Sequence, residues 1–215
     1  MLSSFIAGFI IAISGFALIA MKAVNLLFVG AFLQGACCLI IALISLKAHN
    51  SYLLDVFREK KKSAYLNLII IFIINIASIV LFSYIFRLIF NNIVELTEAA
   101  EDLAEVREVV VGNYDGKDCI LSCGNGIMCG ALVAAGSMTF KECPSKFKWF
   151  GAIAIVASVT IFVVSGFENF NTNISYITYA LSINLSNFVG SFLVLVGNVL
   201  GAYLIHRVTM RIKNL

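Results

Sequence analysis

Long apolar runs dominate the chain, and short polar interruptions divide them. Runs over 4–20, 23–46, 65–90, 124–140, 149–166 and 187–206 each approach the roughly 20 residues a helix needs to cross the hydrocarbon core of a bilayer. The fifth run continues in broken form to about 185. Proline occurs once, at Pro144, so the runs can remain helical. Two interruptions carry unusual polarity: Leu46-Lys47-Ala48-His49-Asn50-Ser51 after the second run, and Ser165-Gly166-Phe167-Glu168-Asn169-Phe170-Asn171-Thr172-Asn173 within the fifth. Non-helical backbone at membrane depth survives only where it is buried in protein or lines a wet cavity. Glu168 at that depth is costly, which implies function or buried partners. A carboxylate accepting backbone N–H bonds would pin such a turn.

Six runs divide into three plus three, and an odd number per half sets the halves in opposite orientation. The expected fold is therefore an all-α membrane protein of six transmembrane helices in a 3+3 inverted repeat, with helices two and five broken. A single transmembrane domain spans 1–215, with halves of about 1–90 and 119–215 joined by an acidic extracellular segment, 91–118. Internal symmetry is consistent with this plan: Asn50 precedes Asn75 by 25 positions, and Asn173 precedes Asn198 by 25. Small residues recur at four-residue spacing in Gly126-xxx-Gly130-xxx-Ala134, Gly197-xxx-Gly201 and Ala31-xxx-Gly35, which suits close helix contact. Within 94–110, Val94, Leu96, Leu103, Val106 and Val110 keep helical spacing. That segment reads either as a short helix on the outer surface or as a solvated loop.

Charge fixes an orientation. Residues 47–64 carry Arg58, Lys60, Lys61 and Lys62; 141–148 carry Lys141, Lys146 and Lys148; the tail carries Arg207, Arg211 and Lys213. The stretch 91–118 holds eight acidic residues against Arg107 and Lys117. The positive-inside rule then puts the basic connections and both termini in the cytoplasm of a cell whose plasma membrane the chain spans. The first run lacks a basic start and a clear cleavage site, so it is expected to be retained. At 215 residues, 61% hydrophobic, with a mean hydropathy of +1.00 and a net charge of +3, the chain has no nucleic-acid footprint. Six cysteines without a CxxC pair, and only His49 and His206, speak against structural zinc. Cys119 and Cys123 are expected as free thiols, a disulfide between them being the other option. No cofactor is expected. An enzyme is not indicated, since no nucleophile–base pair or phosphate loop is present. Arg87 is expected to reach the outer headgroups.

Several motifs together resemble the formate/nitrite transporter family of pentameric anion channels, whose fold is aquaporin-like. Ser165-Gly166-Phe167-Glu168-Asn169 with Asn173 resembles that family's S-G-F-E-H-x-x-x-N turn. Gly126-Ile127-Met128-Cys129 is similar to its G-I-L-C-N element, Gly197-Asn198-Val199-Leu200-Gly201 to its final G-N-x-x-G helix, and Asn67 and Asn75 to its paired asparagines. Gly30-Ala31-Phe32 and Gly35 match the start of its second helix. Counted from Gly35, its L-F-T-G-N constriction falls on Leu46-Lys47-Ala48-His49-Asn50. The departures lie at the centre. The family's pore histidine falls on Asn169, its pore-loop threonine on Ala48 and its constriction phenylalanine on Lys47; its vestibule lysine falls on Lys117.

The resemblance implies a homo-pentamer with one pore per protomer. It also implies passive or proton-coupled passage of small monovalent anions or their weak acids, of the formate, nitrite, hydrosulfide and lactate class. Asn169, Lys117, Leu46, Lys47, Ala48, His49, Asn50 and Phe162 are then the expected pore residues. Ser165, Gly166, Phe167, Glu168, Asn173 and Asn198 hold the turn. Asparagine donates hydrogen bonds but does not titrate near neutral pH, so His49 is the remaining titratable group near the breaks. Alternatives for single residues stay open: Lys47 snorkelling to the interface, His49 capping the next helix, Lys117 pairing with Asp115 or Asp118. A neutral-solute channel and a non-transporting membrane scaffold remain the competing functions.

Overall fold

The computed structural model describes residues 1–59, 61–105 and 116–213. Among them the chain forms α1 (Leu2–Ala23), α2 (Leu27–Leu43), α3 (His49–Glu59), α4 (Lys62–Ile89), α5 (Val94–Glu105), α6 (Gly116–Glu142), α7 (Lys148–Val164), α8 (Phe170–Ala180) and α9 (Leu185–Lys213), with one 3-10 turn, Ser145–Phe147, before α7. α1, α4, α6, α9, and α7 with the turn before it, are long and apolar enough to cross a membrane. The second predicted run yields a shorter apolar helix, α2, of 17 residues.

Both predicted breaks are present, and their local chemistry explains them. α2 ends where Leu46 N–H reaches back to the Ile41 carbonyl and Ser45 N–H to the Ala42 carbonyl, with Ser45 left-handed at φ 53°. α7 ends in the same way: Phe167 N–H reaches the Phe162 carbonyl and Gly166 N–H the Val163 carbonyl, with Gly166 at φ 73°. This double backward bond closes a helix whose next residue turns left-handed. Glycine takes that conformation without a Cβ clash; serine takes it at a cost.

The halves pack as an inverted repeat. α1 lies on α2 and α4 as α6 lies on α7 and α9; α3 packs on α4 and α9 as α8 packs on α9 and α4; α2 and α7 meet each other across the pseudo-two-fold axis. The small-residue motifs sit at the tightest crossings. A Cβ added to Gly126 of α6 would come 2.6 Å from the Val194 carbonyl oxygen of α9, and one on Gly35 of α2 would come 2.9 Å from the Val156 carbonyl oxygen of α7. Any larger residue there forces the backbones apart.

Three expectations need correction. Residues 47–64, read as a polar connection, contain α3: Leu53, Leu54 and Val56 are buried while charged residues point out, an amphipathic pattern too short to register as a span. The symmetry of the asparagines is different in detail, as described below. Arg87 does not reach outward freely; its guanidinium bonds Thr97 Oγ1 and lies 5.8 Å from the Tyr179 ring centroid. Of the two readings of 94–110, a helix forms over Val94–Glu105. Leu96, Ala99, Ala100 and Leu103 are buried with Leu18 and Ile19 of α1 and Tyr176 and Tyr179 of α8. Lys22 and Asp102 pair at 3.3 Å over it. Val106, Arg107, Glu108, Val110 and Asp115 lie outside the described residues. At the opposite, basic end, Glu142 bonds Arg58 at 2.6 Å and Lys213 at 2.8 Å, and Lys141 bonds Asp55 at 2.7 Å. All six cysteines are free thiols, Cys119 and Cys123 included.

Candidate pore between the broken helices

Each break is held by one asparagine from the following long helix. Asn75 of α4 accepts from His49 N–H at 2.8 Å and donates to the Lys47 carbonyl at 3.2 Å and the Ser4 carbonyl of α1 at 2.7 Å. Asn198 of α9 accepts from Phe170 N–H at 3.0 Å and donates to the Glu168 carbonyl at 3.0 Å and the Gly126 carbonyl of α6 at 2.8 Å. The same three-bond clasp thus serves both halves. It pairs Lys47 with Glu168, Ala48 with Asn169, His49 with Phe170, and Asn50 with Asn171. The 25-residue spacing matched Asn50 with Asn173, whereas the clasps span 26 and 28 residues. Asn75 and Asn198 are the true equivalents. Asn67, by contrast, is exposed.

Glu168 is buried, as its cost at this depth requires. Its two carboxyl oxygens accept from Asn125 Nδ2 at 3.3 Å and Asn173 Nδ2 at 3.1 Å. Side-chain amides, rather than the backbone N–H groups expected from the sequence, hold it. Asn169 is the N-cap of α8: its Oδ1 accepts from Asn171 N–H at 3.0 Å, and its Nδ2 lies 3.6 Å from Cys129 Sγ. Phe167 packs with Val159, Phe162 and Cys129, and Ser165 closes α7.

The clasps bring the N-termini of α3 and α8 to one cavity of about 70 Å³ between the breaks. Ala48, Asn50 and Ser51 line it from the first break and α3; Asn169, Asn171 and Thr172 line it from the second break and α8. α2 contributes Gln34, Cys38 and Ile41, and α7 contributes Val159 and Phe162. No charged side chain lines it. Towards the basic end it adjoins a wide vestibule of about 630 Å³, which shares Ala42, Ala48, Ser51, Ser137 and Ile155 with it and is lined by Leu46, Lys47, Asp55, Lys141 and Lys148.

Of the expected pore residues, Asn169, Ala48, Asn50 and Phe162 meet at the cavity, and Leu46 and Lys47 stand at its mouth. His49 lines neither space; its ring is buried edge-on to Phe72 and Phe170, 5.1 and 6.4 Å between centroids. Lys117 is exposed at the far start of α6 and lines neither space. Sequence reasoning missed Gln34, Asn171 and Asn125. Gln34 is the one amide between the apolar residues 26–44, and that isolation is the signal that marked it. Among the described residues no three His, Cys, Asp or Glu side chains gather as a metal site would require.

No protein-family profile matches the sequence, and no curated protein matches it. The fold does match a solved structure described as a pentameric formate channel with formate bound, with a TM-score of 0.77 at 15% identity, covering 99% of this chain and 95% of that one. The chain is therefore an all-helical membrane protein with the fold of a formate channel.

Proposed function

We propose that this chain is a membrane channel for small monovalent anions or their weak acids, acting as a homo-pentamer with one pore per protomer. One observation carries the reading: two half-helices, α3 and α8, bring their N-termini to a single cavity between the breaks. The helix dipole favours negative charge at such ends, and converging two of them offsets part of the hydration an anion sheds. In this reading Lys47 and Lys148 gather anions at the basic mouth, where Lys141 is paired with Asp55, and Lys117 does so at the other. Leu46 and Phe162 form the apolar narrowings, and Ala48, Asn50 and Asn169 line the centre. His49, enclosed by aromatic rings, serves the break structurally through its backbone. The chain acts as a single transmembrane domain, 1–215. It sits in the cell membrane with its basic end and both termini cytoplasmic. Passage of neutral small solutes is the second reading, favoured by the absence of charge from the cavity lining.

The test is solute flux into proteoliposomes holding the purified chain, with formate, nitrite, hydrosulfide and lactate offered over a range of pH. Flux of at least one of them well above that of empty vesicles is expected. Assembled protein that passes no small solute would leave only the scaffold reading.

A further inference from the structure

The last helix is longer than the bilayer it crosses. The 29 residues of α9 span about 43 Å at 1.5 Å per residue, against about 30 Å of hydrocarbon. The surplus falls at the basic end, where the apolar run stops at His206 and Arg207 begins a charged tail. Packing fixes which way this tail faces. Ala202 and His206 are buried, and the His206 ring lies 5.8 Å from that of Phe57 on α3. Two exposed rows are left on the outside. Leu204, Val208 and Ile212 are 53%, 54% and 65% exposed, and residues four apart stack along one helix face. Beside them, one position back, stand Tyr203, Arg207 and Arg211, all exposed as well. Among the described residues neither arginine makes an ion pair. The acids at this end are engaged elsewhere: Glu142 with Arg58 and Lys213, Asp55 with Lys141, and Glu59 stands next to the exposed Lys61 and Lys62.

We infer that this end of α9 is a docking surface for an anionic phospholipid, with Arg207 and Arg211 on the headgroup and Leu204, Val208 and Ile212 along its acyl chains. The inference rests on the membrane fold and not on what the cavity passes. An apolar row that continues beside a row of cations matches a ligand built the same way, an apolar chain joined to an anion. A free phosphate matches the cations alone. A second copy of this chain brings the same cations to the same level, and like charges oppose that contact. Arginine meets a phosphate with a planar fork of donors, and a tyrosine one turn deeper suits the boundary of headgroup and hydrocarbon. The opposite end presents Glu95, Glu98 and Glu101 of α5 to the outside, so the preference belongs to one leaflet.

The single tryptophan, Trp149, makes a movable reporter. Trp149→Phe with Ile212→Trp sets it in the apolar row, and brominated lipids quench tryptophan on contact. In phosphatidylcholine bilayers, brominated phosphatidylglycerol should reach the reporter with about 25-fold preference over brominated phosphatidylcholine, about fivefold for each arginine. Adding Arg207→Gln and Arg211→Gln should bring the two lipids close to parity. Adding Lys61→Gln and Lys62→Gln instead removes the same charge elsewhere at this end and should change the ratio by less than about twofold. Equal losses from the two pairs would overturn the site, leaving only the diffuse potential of a basic surface. Quenching by neither lipid would overturn it by showing the row covered by another chain. Displacement of the brominated lipid by soluble glycerol phosphate would overturn it in favour of a free anion. If the reporter chain does not assemble, native mass spectra of the unmodified chain decide: phosphatidylglycerol retained in excess of phosphatidylcholine is expected, and equal retention would refute the docking surface. No flux is measured, so failure of the channel reading leaves this result standing.

Discussion

Single residues in the breaks carry separable duties. Ser45 and Gly166 occupy equivalent left-handed positions, at φ 53° and 73°, yet only one is glycine. A residue with a Cβ pays roughly 1 kcal/mol or more in that region. Ser45→Gly should accordingly raise stability in detergent by about 0.5–1 kcal/mol, read as a higher melting temperature; a lower one would mean that the serine hydroxyl does structural work. Asn169 combines two duties, capping α8 and lining the cavity. Asn169→Ala should cost about 1 kcal/mol of stability through the lost cap, and Asn169→Asp should retain it. Because an amide does not titrate, Asn169→His should add a step to the flux–pH profile near the ordinary histidine value of about 6.5. An unchanged profile would show that position 169 does not meet the permeant.

At the scale of elements, the two clasps are the fold's organising contact. Each of Asn75 and Asn198 satisfies one backbone N–H and one carbonyl of a break, Lys47 or Glu168, and ties them to a carbonyl inside a neighbouring helix, Ser4 of α1 or Gly126 of α6. Asn75→Leu and Asn198→Leu should each lower stability by at least about 2–3 kcal/mol, since several buried polar groups lose partners at once. Thermal unfolding in detergent checks this, and a loss confined to one of the two would break the claimed equivalence. Much of this level was legible in the sequence. Polar residues inside apolar runs located both breaks, and the Gly126/Gly130 and Gly197/Gly201 spacings, read as allowing close helix contact, lie at the α6–α9 crossing. Three features were less legible. α3 alternates Leu53, Leu54 and Val56 with charges over 11 residues, too few and too polar to exceed a membrane-length criterion. The partners of Glu168 come from α6 and α8, 43 and 5 residues away, and no local pattern ties a carboxyl group to Asn125. The sequence leaves His49 as either a titratable neighbour of Lys47 or a cap of the next helix, whereas its ring packs against Phe72 and Phe170 and its backbone serves the clasp.

For the molecule as a whole, the location of the cavity decides how an assembly conducts. The lining side chains of the cavity and of its vestibule are contributed by both halves of the repeat. Exposed apolar faces on α2 and α7, such as Phe28, Phe32 and Ile153, and on α4 and α9, such as Phe188 and Phe192, lie away from it and are free to meet lipid or other protomers. Two different faces of this kind permit a closed ring in which each contact joins unlike surfaces. On the channel reading proposed above, the path belongs to the protomer and not to the axis of the ring. Ala48 is buried at the junction of cavity and vestibule, so Ala48→Phe should plug one path without touching another. In oligomers assembled from wild-type and Ala48→Phe chains at set ratios, flux per oligomer should fall in proportion to the plugged share. A steeper loss, in which one plugged chain silences the whole, would place the conduction path between protomers and would remove the cavity from the mechanism.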